Sequence, residues 1–125
     1  MQYLTVTRDI EGESGIVNLK VSDILFLEWS TRAERVVVHT RVGEYYMTGI
    51  LKYWTSVLNN SGFTFRVVDR NSAVNVNQIE MLDSNLKIAY FDTHDLSKSC
   101  TMAIMRYKKL ENEFMVCKSS IKIVT

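Results

Sequence analysis

The sequence contains no proline, five glycines and two cysteines among 125 residues, and its apolar stretches are all short. A helix that crosses a bilayer needs about 20 apolar residues in a row, and no stretch reaches that length. The N-terminus carries Arg8 and Asp9 and lacks the apolar core of a signal peptide, so we expect a cytoplasmic protein. Cys100 and Cys117 have no metal-ligand spacing, so we expect both to be reduced thiols.

Residues that support catalysis are scarce as well. His39 lies in a valine-rich segment, where a structural histidine is more common than a catalytic one, and His94 lies in a polar stretch. Neither histidine has a ligand spacing with a cysteine, and the dispersed glycines form no phosphate-binding loop. The sequence therefore predicts no enzyme, no metal site, no cofactor and no small-molecule substrate.

The charge is nearly balanced, at +1, which by itself argues weakly against a nucleic-acid partner. The basic residues are concentrated, however, in or beside three segments: Arg32, Arg35, Arg66, Arg70, Arg106, Lys108 and Lys109. Only two acids, Glu34 and Asp69, lie among them. If the fold brings these segments to one edge, a nearly neutral chain has a strongly basic side.

The most informative stretch spans residues 63–79. Phe63, Phe65 and Val67 recur at every second position, which predicts a strand with one face on the core. Four turn-favouring residues follow at 69–72, and the apolar pattern resumes at Ala73. We interpret this stretch as two strands that hold Arg70 on a solvent-exposed turn, a common way to build a binding site.

Similar patterns predict the remaining elements. The helix is expected to begin at a Thr48 cap, to bury a face that starts with Ile50 and Leu51, and to end at 59–62. Tyr107, Leu110 and Phe114 have the spacing of a second, short helix. Alternating or short apolar runs predict strands at 4–7, 16–21, 24–27, 35–40, 44–47, 86–90, 100–104 and 121–123.

Three segments of the chain resemble the signature of the LytTR family, DNA-binding domains of bacterial transcription regulators. Residues 23–28 resemble the family's D-I-x-x-I/L-E, and residues 106–110 resemble its closing R-x-Y-x-K-x-L. Asp69 stands where the family has a histidine. The resemblance covers about residues 16 to 112. In the stretch 63–79 the matching residues are Phe65, Val68, Arg70, Val74, Asn75 and Ile79.

The resemblance implies a mainly β fold: an elongated stack of small antiparallel sheets with one amphipathic helix and a short C-terminal helix. We expect a single domain over 1–125, with 113–125 as an extension. It also implies a sequence-specific regulator that inserts loops into the grooves of double-stranded DNA. We assign Arg70 and Arg106 to base or groove contact. The other predicted contacts are Arg66 and Asn71, together with phosphate contacts from Arg32, Arg35, Lys108 and Lys109.

A second hypothesis is a β-rich protein-interaction module whose DNA-binding edge has decayed, which Glu34 and Asp69 favour. Two further partners are left open: a second copy of the chain, paired through residues 121–123, and a membrane-protein inhibitor of the kind attributed to some relatives. The family match begins near residue 16, which leaves no room for a receiver domain ahead of it. Met1 favours a stand-alone regulator over an excised domain.

Overall fold

The computed structural model describes residues 2–116 and 121–125, which form eleven strands and two α-helices. The helices are α1 (Leu51–Asn60) and α2 (Ile104–Val116). The predicted fold class, mainly β with two helices, is confirmed. The strands are β1 (Tyr3–Val6), β2 (Val17–Lys20), β3 (Ile24–Ser30), β4 (Arg35–Thr40), β5 (Glu44–Met47), β6 (Phe65–Asp69), β7 (Ser72–Asn75), β8 (Met81–Asp83), β9 (Ile88–Tyr90), β10 (Ser99–Thr101) and β11 (Lys122–Val124).

An antiparallel sheet of five strands, in the order β5-β4-β3-β7-β6, lies at the centre of the fold. β3 pairs with β4 on one side and with β7 on the other. This central position explains why residues 24–27 are all apolar, as is typical of a strand buried on both faces. β1 and β2 form a two-stranded sheet, and β10-β9-β8-β11 form a sheet of four.

Two hydrophobic cores lie on opposite faces of the central sheet. Neighbouring residues of β7 alternate between them: Ala73 faces the core beneath α1 and Val74 faces the core beneath α2. The first core also contains residues of β1 and β2, and the second contains residues of the four-stranded sheet. A bulge between Ile24 and Phe26 lets Leu25 and Phe26 face the same core.

The first helix begins later than its sequence pattern predicts. Ile50 has extended backbone dihedrals and is 61% exposed, so it precedes the helix and is not on its buried face. The predicted Thr48 cap is therefore wrong: the N-cap residue is Ile50, without a side-chain cap, and the Trp54 indole nitrogen donates a hydrogen bond of 2.7 Å to the Thr48 carbonyl oxygen. The buried residues of α1 are Leu51, Thr55 and Leu58, and the two leucines belong to the core on the central sheet.

The predicted strand 86–90 is too long at its start. Lys87 has a left-handed φ of 57°, and its amide closes a turn by donating to the carbonyl of Asp83 at 2.8 Å. The strand therefore begins at Ile88. Such a φ is uncommon for a residue with a side chain, so the alternating pattern gave no sign of it.

The predicted strand 100–104 is too long at its end, and the second helix is longer than predicted. The amide of Ala103 bonds to the carbonyl of Val68, at 2.8 Å, and Ile104 starts α2. α2 has 13 residues, so it contains the predicted face of Tyr107, Leu110 and Phe114 and extends beyond it at both ends. In the part of the chain that the structure describes, no helix is long and apolar enough to cross a membrane.

The C-terminal segment forms the predicted extra strand, β11. It pairs with β8 of its own chain in parallel, so the four-stranded sheet is not antiparallel throughout. β11 is the last strand of that sheet, and its pairing across two molecules stays a prediction. Cys100, in β10, is a buried free thiol, as predicted, whereas Cys117 falls outside the described residues.

Candidate nucleic-acid interface

Two turns lie side by side at one end of the central sheet. β3 ends there at Ser30, which is paired with Arg35 at the start of β4. β7 begins at the same end, where Ser72 is paired with Glu28 of β3. The β3–β4 turn (31–34) and the β6–β7 turn (70–71) are therefore neighbours, separated only by the end of β3.

Hydrogen bonds close the β3–β4 turn tightly. The amide of Glu34 donates to the carbonyl of Ser30 at 2.8 Å, and the amide of Ala33 donates to the Ser30 hydroxyl at 3.1 Å. Glu34 has a φ of 55°, the left-handed conformation that ends such a turn. Arg32 is exposed on this turn, so its charge is available to a partner.

Arg35 lies close to Arg32 in sequence but lines a different cavity. It borders a space of about 270 Å³ between the N-terminal loop and α1, together with Trp54 and Gly12. Its guanidinium donates to the carbonyl of Glu34 at 3.0 Å. Arg32 instead borders a space of about 520 Å³ on the surface of β3, β4 and β5. The two arginines therefore line different cavities, which adjoin at Ile10 and Tyr46, and their spacing in the sequence did not indicate this.

The β6–β7 turn has only two residues between its strands, Arg70 and Asn71, and both are exposed. A bulge between Val67 and Asp69 brings the chain into this turn. The Asp69 carboxylate accepts a hydrogen bond of 2.7 Å from the amide of Arg70. The acid at the family's histidine position thus orders the backbone that carries the predicted base-reading arginine.

The third basic segment reaches the same end of the sheet through α2. The bond between Ala103 and Val68 holds the start of the helix beside the end of β6. Arg106 lies in the first turn of α2 and Arg66 lies on β6, and both line a cavity of about 100 Å³. Peptide dipoles give the N-terminal end of a helix a positive potential, which adds to the potential of these cations.

Most of the predicted contact residues are brought together, and two are not. Arg32, Arg70, Asn71 and Arg106 lie on neighbouring segments at one sheet end, and Lys109 joins Arg66 and Arg106 at the small cavity. Arg35 faces the N-terminal loop. Lys108 is exposed on α2 but does not line the cavity.

One acid at this cavity did not enter the sequence prediction. The Arg66 Nε atom lies 3.3 Å from a carboxylate oxygen of Glu113. Glu113 follows Lys109 by four positions and Arg106 by seven, which places all three on one face of α2. This spacing was readable from the sequence, because the predicted helical face of Tyr107, Leu110 and Phe114 spans position 113, but Glu113 lies beyond the basic segment 106–110.

His39 is partly buried between two carboxylates and an aromatic ring. Its Nε2 atom lies 2.9 Å from a carboxylate oxygen of Glu28, and its Nδ1 atom lies 3.5 Å from one of Glu44. Its ring stacks on Phe26 with a centroid distance of 4.1 Å. Over residues 2–116 and 121–125, no group of three potential ligands is placed to hold a metal ion.

Comparisons with known proteins place this geometry in a family. The sequence model of the family described as the LytTr DNA-binding domain matches residues 14–115, which is most of the chain. Among solved structures, a LytTr DNA-binding domain from Bacillus cereus superimposes with a TM-score of 0.69 and 14% sequence identity, covering 92% of this chain and 97% of the other. At this identity the likeness shows the fold alone. A search of the curated proteins finds no match.

Proposed function

The chain belongs to the LytTr DNA-binding domain family, and from this premise we propose that it is a sequence-specific transcription regulator that reads DNA with the turns at one end of its central sheet. The observation that carries the proposal is the adjacency of three separately predicted basic segments. β3 brings the first two together by pairing with both β4 and β7, and the Ala103–Val68 bond adds the third.

Arg70 is the residue best placed to read bases. It stands on a two-residue turn whose backbone is held by Asp69, so the side chain projects from a rigid base. A planar guanidinium can donate to O6 and N7 of one guanine in the major groove, which distinguishes that base pair from the others. Arg106, in the first turn of α2, is the second candidate for groove contact.

The remaining cations suit phosphate contacts. Arg32 lies on the turn next to that of Arg70, and Arg66 on β6 and Lys109 on α2 line the small cavity with Arg106. Contacts to phosphate oxygens fix the position of a protein on the duplex and carry no direct sequence information. An edge with both kinds of contact gains affinity from its phosphate contacts and specificity from its base contacts.

The protein-interaction alternative depends on Glu34 and Asp69, whose charges oppose DNA. Both acids have local roles in the structure, since Glu34 supplies the left-handed residue of its turn and Asp69 accepts the amide of Arg70. These roles give a reason for each acid that does not require a decayed DNA edge. A second copy of the chain and a membrane-protein inhibitor stay predictions.

A mobility-shift assay tests the proposal with a duplex from the promoter of the protein's own operon. The double variant Arg70→Ala, Arg106→Ala should lose the shifted band. Lys98→Ala is the control, because it removes a positive charge at the opposite end of the sheet. Lys98 is placed there by two hydrogen bonds: the Arg41 guanidinium donates to the carbonyl of Phe91, and the amide of Phe91 donates to the carbonyl of Lys98. A double variant that binds as tightly as Lys98→Ala would contradict the proposed edge.

A further inference from the structure

The carboxylate of Glu113 lies inside a cluster of three cations. Arg66, Arg106 and Lys109 line one small cavity with it, and its contact with Arg66 is the ion pair of 3.3 Å. Arg66 reaches Glu113 from β6, whereas the two other cations share a helix face with it. One acid thus partly neutralises three bases at the edge to which the proposed function assigns DNA.

The ion pair between Arg66 and Glu113 is not needed to hold the fold together. The Arg66 and Glu113 side chains are 44% and 37% exposed, so water competes with their contact. Ion pairs at this exposure contribute little net stability. The core between α2 and β6 is made by other residues, among them Val68, Tyr107 and Leu110. The carboxylate can therefore leave Arg66 without loss of the fold.

A phosphate group suits the same place. A carboxylate and a phosphodiester both offer anionic oxygens to a guanidinium, and arginine binds either in the same forked geometry. A phosphate bound to Arg66 would be repelled by the Glu113 carboxylate, because like charges at this separation repel.

We infer that Glu113 takes the place of a DNA backbone phosphate on Arg66 in the DNA-free protein and sets the strength of sequence-independent binding. This inference rests on the proposed function. Each encounter with a duplex must displace the carboxylate before Arg66 can bind a phosphate. Contacts at Arg66 add no sequence information, so Glu113 weakens binding to every duplex by the same factor.

Glu113→Gln tests the inference, and Glu80→Gln is its matched control. Glu80 forms a similar exposed ion pair, 3.8 Å from Arg41, at the opposite end of the sheet. By fluorescence anisotropy, Glu113→Gln should bind promoter and scrambled duplexes about two- to fivefold more tightly. The slope of log K against log salt should be more negative than that of the parent chain by up to about 0.9. The reason is that DNA binding by the variant releases no carboxylate that could take up a cation.

Glu80→Gln should match the parent chain in affinity and in slope. Equal behaviour of the two variants, or weaker binding by Glu113→Gln, would overturn the inference while the proposed function stands. Unchanged thermal unfolding of both variants should show that neither alters the fold.

A second measurement distinguishes a failure of the inference about Glu113 from a failure of the proposed function. Inorganic phosphate is titrated into ¹⁵N-labelled protein while the Arg66 Nε–H resonance is followed. Glu113→Gln should respond at several-fold lower phosphate concentration than the parent chain and Glu80→Gln. If no variant binds any duplex, the proposed function fails, and the titration then tests only whether Glu113 competes with a phosphate for Arg66. Identical titration curves would exclude that competition and overturn the inference.

Discussion

The backbone amide of Trp29 donates a hydrogen bond of 2.7 Å to the carbonyl oxygen of Asn71. This single bond connects the last residues of β3 with the turn that carries Arg70. Because β3 also leads directly into the turn that carries Arg32, the spacing between the two arginines is set by paired backbone. A binding edge that is rigid before contact loses less conformational entropy when it meets DNA.

Arg70→Ala and Lys109→Ala should weaken DNA binding in different ways. Loss of Arg70 should cost about 1–3 kcal/mol on the preferred site and reduce discrimination at one or two base pairs. Loss of Lys109 should weaken all duplexes alike, because it removes a phosphate contact. Anisotropy with a set of single-base-pair variants of the site measures both effects. Equal, sequence-independent losses would contradict the division between base and phosphate contacts.

Asp69 should affect binding through two opposing terms, its charge and its hydrogen bond to the amide of Arg70. Asp69→Asn keeps an acceptor for that amide and removes the repulsion from phosphate, so it should bind DNA more tightly. Asp69→Ala also removes the acceptor, so it should tighten non-specific binding but lose discrimination between duplexes. If both variants bound more weakly than the parent chain, the carboxylate itself would be a DNA contact.

The strands that sequence patterns predict best are those flanked by clear turns. β4 and β5 have the predicted bounds because a β-branched run and a short alternating run are each bounded by turn-forming residues.

The start of α1 was missed for a tertiary reason. Gly49 has a φ of 104°, and the Trp54 indole approaches so closely that a Cβ at this position would lie 2.6 Å from its nitrogen.

The basic segments of the proposed binding edge were identified from the sequence, but the way in which the fold brings them together was not. The three basic segments are far apart in the chain, and only the pairing of β3 with both β4 and β7 brings two of them together. Arg35 lines a cavity with residues of the N-terminal loop, far away in the chain, and its position beside Arg32 in the sequence gave no sign of this. Glu113 was missed because it lies outside the basic segment 106–110, although the predicted helical face reaches Phe114.

Asn75→Ala should destabilise the fold without touching the DNA edge. Asn75 is 2% exposed, and its side-chain amide donates to the carbonyl of Ile24 at 2.9 Å, joining the end of β7 to the start of β3. Leaving that buried carbonyl without its donor should cost about 1–3 kcal/mol in the free energy of unfolding. Urea unfolding measures this cost, and Asn77→Ala, at an exposed position, is the control. Equal stability of the two variants would exclude the predicted role.

Alkaline pH should destabilise the fold partly through Cys100. Burial raises the pKa of this thiol to about 12, from an ordinary value of 9.0. Between these values the unfolded chain has lost the thiol proton and the folded chain keeps it, so the free energy of unfolding falls as pH rises. The fall from one such group is at most about 1.4 kcal/mol per pH unit.

Urea unfolding of the parent chain and of Cys100→Ala, measured from pH 8 to about pH 11, separates this contribution from other groups. Cys100→Ala should start from lower stability and lose less of it above pH 9. Parallel losses in the two proteins would show that the thiol is not protected by burial.

The most direct test of sequence-specific reading by this sheet edge is the salt dependence of binding to the promoter duplex and to a scrambled duplex of the same length. If about four to six phosphates are neutralised, log Kd plotted against log salt should have a slope of about 4 to 5, which is a slope of −4 to −5 in log K. The promoter duplex should bind more tightly at every salt concentration, and Arg70→Ala should reduce that preference. A flat salt response, or equal affinity for the two duplexes, would contradict the account.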